Sequence, residues 1–223
     1  MINERVIMAS RRTTMTTVAL CAVAAAGATC IIAVSIAGHP VLTEGWRHAA
    51  RYTARFSFLI FLAVFVARPW HQLWPSQATR WAVLHRRALG LAFATAHLIH
   101  LYALTRFRVE SAQMPRRGVQ LVGGVVAYVL LAAMAATSND ASVHVLGVRN
   151  WKRLHTVGIY WIWFFFLEVY VVRIAAGSLF FVPFALVAVA ALLLRVGARS
   201  RVPVSGFDAT WRRTQRSRTA DTG

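Results

Sequence analysis

Six stretches of the chain are apolar over the length of a membrane-crossing helix: residues 18–37, 49–67, 88–105, 119–137, 154–172 and 175–194. At the helical rise, roughly 20 such residues match the ~30 Å hydrocarbon core of a bilayer. The second stretch is the weakest, and its Arg51 and Arg55 are placed to snorkel to the interface. Period-two alternation broken by regular turn signals is absent, which argues against a membrane barrel. Backbone satisfaction in lipid then leaves a helical bundle. The expected fold is therefore all-α, a polytopic six-transmembrane-helix bundle over residues 15–197. It is flanked by an N-terminal segment, 1–14, and a basic C-terminal tail, 198–223. Spans and short links use up nearly all of the chain, which leaves no room for a folded nucleotide- or flavin-binding domain. A soluble redox or catalytic domain would have to be another chain.

A net charge of +18 raises the question of nucleic acid, but in a membrane protein charge is read by position. Of the 25 Lys and Arg residues, 17 fall on the side of the two termini. The others are Arg47, Arg51, Arg55, Arg106, Arg108, Arg116, Arg117 and Arg173. The positive-inside rule then places both termini in the cytoplasm of a bacterial inner membrane, with the tail "WRRTQRSRTADTG" against anionic headgroups. No recognition motif accompanies the charge, so no nucleic-acid partner is expected. The start "SRRTTMTTVALCAVAAAGATC" has the positive end and apolar run of an export signal. The run is longer than a signal core and has no clear small-x-small cleavage site, so the expectation is an uncleaved first span. Cys21 and Cys30 lie inside it, where thiols behave as small apolar residues and imply no disulfide.

Ionisable side chains at membrane depth cost a few kcal/mol and normally face the bundle interior with a role. His97, His100 and Glu168 lie well inside spans, whereas His85 and His155 sit at the cytoplasmic starts of the third and fifth. These two spans run in the same direction, so counting residues compares depth. His100 is ~18 Å from residue 88 and Glu168 ~21 Å from residue 154, similar levels in the outer half of the membrane. His85 and His155 share the cytoplasmic level. Two tiers of imidazole on neighbouring helices suit b-type haem, with one or two haems forming a transmembrane electron wire. His97 and His100, three residues apart, lie about 60° apart around the helix and face one cavity. The aromatic run "YWIWFFF" either packs around a macrocycle or serves as lipid-facing or packing surface.

The segments "LHRRALGLAFATAHLIHLYAL" and "TSNDASVHVLGVRNWKRLHTVGIY" resemble the ferric reductase-like transmembrane domain. The nearest branch is the haem-binding membrane subunit of the bacterial periplasmic methionine sulfoxide reductase system. That branch carries an RRxLGL motif with a mid-span His, a TS(T/N)-rich turn, a W(K/R)(R/Q)LH motif and a further His thirteen residues on. The resemblance covers the second to sixth spans. Arg86, Arg87, Leu89, Gly90 and Leu91 match the first motif, and His100 falls on its haem ligand. Trp151, Lys152, Arg153, Leu154 and His155 match the second. Glu168 stands where the branch has its further His, and His85 and His97 are additions to the pattern. A carboxylate there either ligates iron as a hard donor or stays protonated as a hydrogen-bond donor or proton carrier. Thirteen residues turn Glu168 about 140° from the face of His155.

The resemblance implies a haem b-binding electron-transfer protein, an oxidoreductase component. Its reductant would be a cytoplasmic flavin reductase or quinol, with FMN or quinone as possible further cofactors. Its acceptor would be a periplasmic reductase subunit or ferric iron. Arg86 and Arg87 then serve haem propionates, quinone or a partner, or are the arginines that cytoplasmic span ends ordinarily carry. Two other readings stay open: a proton-linked transporter or channel using His97, His100 and Glu168 as a relay, and a non-catalytic membrane subunit that has lost a haem site.

Overall fold

The computed structural model describes the backbone of residues 2–112 and 119–200. The basic tail beyond residue 200 and the link holding Arg116 and Arg117 lie outside the described residues, and residues 198–200 continue α7. The order is α1 (Ile2–Ala37), α2 (Leu42–Leu73), α3 (Gln77–Leu84), α4 (Arg86–Glu110), α5 (Val119–Ala136), α6 (Asp140–Ala175), a 3-10 turn (Leu179–Phe181) and α7 (Val182–Ser200). All regular structure among the described residues is helical. Among the described residues, five segments are long and apolar enough to cross a membrane: Thr13–Ala37, Leu42–Leu73, Arg86–Glu110, Asp140–Ala175 and Leu179–Arg199. The expected fourth span, α5, supplies a shorter apolar stretch, Leu121–Ala136. Valines and leucines such as Val23, Leu59, Leu98, Val129, Leu186 and Leu193 face outward, as side chains against lipid do. The chain is a multi-pass membrane protein.

α2 is the central helix, packed on α1, α4 and α7. Phe58, Phe61 and Phe65 recur at helical spacing along it and are almost wholly buried. Phe58 meets Phe166 of α6 at 5.1 Å between ring centroids, and Phe61 meets Phe93 of α4 at 5.3 Å. α1 and α4 approach through Ala24, Ala92 and Ala96, the small residues that let helices come close where lipid offers no hydrophobic drive. The aromatic run on α6 is mostly packing surface. Trp161 donates its indole N–H to Gly123 O of α5 (3.2 Å) and Trp163 donates to Ala188 O of α7 (2.8 Å), while Phe164 stays exposed. A Cβ at Gly123 or Gly124 would sit 3.2 Å from the Phe165 ring, so the glycines set how closely α5 and α6 pack.

Helices overrun the apolar stretches in two informative places. The segment "RPWHQLWP" reads as a link, yet α2 continues through Pro69 to Leu73. Proline has no N–H to return to the carbonyl of Phe65, and that carbonyl instead accepts from Arg195 Nη1 of α7 at 2.7 Å. Tertiary structure thus meets the demand that proline creates. α6 begins at Asp140, well before the expected span at 154, but Gly147 breaks it with φ 73 and ψ 147, a conformation open essentially only to glycine. The membrane-crossing part is the segment after that break.

Candidate functional site

α2 and α4 run antiparallel, and their facing polar residues pair in register. Ser57 Oγ donates to Ala54 O (2.9 Å) one turn back on α2, and Thr53 Oγ1 donates to Ala49 O (2.7 Å). His97 Nδ1 lies 2.9 Å from Ser57 Oγ, and His100 Nδ1 lies 3.1 Å from Thr53 Oγ1. Each imidazole is thus oriented through Nδ1 by a hydroxyl of α2, the kind of outer partner that orients metal-binding histidines. Neither Thr53 nor Ser57 stands out in the sequence. Their spacing on one helix against that of the histidines on another is the signal, and it is visible only once the helices are paired.

Aromatic rings gather around His97. His97 stacks on Tyr128 of α5 (5.0 Å, 19° between planes) and meets Phe93 (5.2 Å), Phe166 (5.4 Å) and His100 (5.2 Å). Tyr128 donates its hydroxyl to His97 O at 3.4 Å. The Phe166 contact puts that turn of α6, including Glu168 two residues on, at the depth of His97 and His100, the level that residue counting assigns. Glu168 is partly buried there. His155 lies 13 residues before Glu168, about 20 Å down the helix.

At the other end, the two motif segments meet. Arg87 donates from Nε to Ser138 O and from Nη1 to Asp140 Oδ1 (3.0 Å), pinning the α5–α6 turn to the start of α4. Asn139 caps α6 by accepting from Ser142 N (2.7 Å). Trp151 donates to Thr137 O (2.8 Å), and its ring lies 4.2 Å from that of His155. Thr137 Oγ1 donates to Ala133 O (2.7 Å) and lies 3.2 Å from His155 Nε2. His155 thus holds the C-terminus of α5 through Nε2, whereas His97 and His100 meet their hydroxyls through Nδ1. His85 turns toward α3, its ring 4.5 Å from Trp81 and its Nδ1 bonded to Trp81 O (2.9 Å). No contact joins His85 to His155 among the described residues. Arg86 is partly buried at the same end.

The remaining histidines have local surroundings. His39 bonds Ser35 O (2.8 Å) and stacks on His48 (4.2 Å), His71 bonds Thr79 Oγ1 (2.9 Å), and His144 is exposed.

The imidazoles of His97 and His100 are donors of the kind that haem iron takes, and they would hold such a group from α4. Among the described residues, no three His, Cys, Asp or Glu side chains converge to hold a bare metal ion. Compared with known proteins, the chain matches no family model, no curated protein and no solved structure.

Proposed function

We propose that the protein is a haem b-binding, six-span electron-transfer protein with both termini in the cytoplasm, in which α4 supplies the iron ligand. The observation that carries this is the pairing of His97 and His100 with hydroxyls of α2. Two imidazoles inside the bundle are each met at Nδ1 by a hydroxyl of the neighbouring helix, and His97 lies among Phe93, Tyr128 and Phe166. Serine and threonine partners neutralise nothing and relay no net charge. They orient the rings.

Bound haem supplies one-electron oxidation and reduction. The chain's part is to fix the imidazoles, exclude water with aromatic rings, and keep polar backbone satisfied around them. His100 sits at the motif position, and His97 one turn earlier shares its orientation. At the cytoplasmic end, Arg86 is partly buried. His155 and Arg87 organise the α5–α6 turn, which supports a single haem at mid-depth over a two-haem wire. The donor is a cytoplasmic flavoprotein or membrane quinol, and the acceptor a periplasmic reductase subunit or ferric iron. The 17 to 8 division of basic residues supports this orientation.

The test is the absorption spectrum of the detergent-purified full chain with a pyridine haemochrome count, on the wild type and on His97→Ala, His100→Ala and the double variant. The expected result is about one haem per chain, reduced in the single variants and lost in the double. A colourless wild type from haem-replete cells, or a double variant with unchanged Soret absorption, refutes the assignment.

A further inference from the structure

Where α2 enters the bundle and α6 leaves it, a hollow of about 210 Å³ is lined by Arg51, Arg55, Arg173, Ser178, Phe180 and Phe181. We propose that it is a binding site for a single phosphate group. This stands apart from the haem reading, since it uses none of the residues around His97 and His100.

Arg55 is the anchor. Its guanidinium carbon lies 4.4 Å from the Phe180 ring centroid and 5.0 Å from that of Tyr52, with Phe181 (5.6 Å) and Phe184 (5.8 Å) completing a cage. Aromatic faces hold the charge without hydrogen-bonding it. Its Nε is buried and has no hydrogen-bond acceptor among the described residues. Such a donor costs free energy unless something accepts from it.

The opposite wall is set by the way α6 ends. Gly177 adopts φ +87, its N–H bonds Ile174 O (2.9 Å), and Ser178 N bonds Arg173 O (3.0 Å). This is a Schellman turn, with glycine at the one position that requires the left-handed conformation. It places Ser178 beside Arg173 on the rim. Arg51, Arg55 and Arg173 all line the hollow, a donor set that suits an oxyanion. The guanidinium fork matches phosphate oxygens in pairs.

Size and position narrow the ligand. Drug-sized ligands occupy roughly 300–1,000 Å³, so a hollow of about 210 Å³ takes a small group rather than a macrocycle or dinucleotide. The lipid-facing surface begins beside it, at Leu59 one turn beyond Arg55 and at Val171 and Val172 before Arg173. That is the depth of lipid headgroups, where arginine and aromatic residues collect. The shared chemistry is a phosphate ester or phosphate ion, and its two sources are a lipid headgroup and the aqueous phase.

The test uses the full chain purified in a non-ionic detergent, with thermal unfolding followed by tryptophan fluorescence. Phosphatidylglycerol in mixed micelles and, separately, inorganic phosphate are titrated in. A raised midpoint with the lipid alone identifies a headgroup site, and a raised midpoint with inorganic phosphate identifies a soluble one. In either case Arg55→Gln should raise the half-saturating concentration about tenfold, the loss of one charge-assisted hydrogen bond. Arg51→Gln, on the exposed rim, should weaken binding as well, and it serves where Arg55→Gln fails to fold. No shift with either probe, or a shift equal in wild type and Arg51→Gln, overturns the proposal.

Discussion

Replacing Arg195 should destabilise the bundle by an amount that depends on whether residue 69 is proline. Arg195 Nη1 donates to Phe65 O at 2.7 Å and Nε donates to Tyr160 Oη at 3.0 Å, with the guanidinium 4.6 Å from the Phe65 ring centroid. A hydrogen bond from a charged donor contributes about 1.5–3 kcal/mol. Arg195→Met keeps the apolar stem but removes both bonds, so we expect a loss of about 2–4 kcal/mol. In Pro69→Ala, the restored N–H can bond Phe65 O within the helix, and the guanidinium loses one of its two jobs. Arg195→Met should then cost about 1–2 kcal/mol less than in the wild type. The double-mutant cycle is read by reversible unfolding of the full chain in mixed micelles, with tryptophan fluorescence as the signal. If the two substitutions add to within about 0.5 kcal/mol, Arg195 does not compensate for the proline, and the explanation for α2 running past Pro69 is wrong.

Gly147→Ala should cost about 1–3 kcal/mol in the same assay, since no side chain tolerates its backbone conformation without strain; a neutral result would show that α6 is not broken there. Asp140→Asn should cost less than about 1 kcal/mol because the Arg87 pair is largely exposed, whereas Arg87→Gln also loses the bond to Ser138 O and should cost more. Thr53→Val should lower haem affinity about 10- to 100-fold, with Thr53→Ser restoring it; equal haem content in the two would sever the hydroxyl from ligand orientation. Glu168→His should convert a high-spin haem spectrum to a low-spin one while Glu168→Gln retains haem; loss of haem in Gln that His cannot rescue would instead make Glu168 an iron ligand.

Much of the site is legible in the sequence because membrane burial makes polar residues conspicuous. His97, His100 and Glu168 stand out in apolar runs, and helical rise is regular enough to put His100 and Glu168 at one depth, as the Phe166–His97 contact places them. The same counting gives His155 a level but no partner. Its Nε2 reaches Thr137, just past the C-terminal end of α5, and a partner eighteen residues away in sequence is invisible to periodicity. His85 shares that level yet turns toward Trp81, because it sits at the junction of α3 and α4 where the chain changes direction.

The sequence by itself determined the class and the lipid-facing character: long uncharged runs have no stable form in lipid except helices that satisfy their own backbone. It also set the distribution of basic residues from which orientation is argued. Only the tertiary structure decided which hydroxyl each of His97 and His100 meets, that Arg195 answers Pro69, and that Arg55 lies among Tyr52, Phe180, Phe181 and Phe184. The physical reason is that hydrophobic patterning acts through the count of apolar residues and specifies depth alone. Hydrogen bonds and ring contacts require a donor and acceptor from different helices to arrive at the same depth and the same azimuth, and azimuth is set when the helices pack.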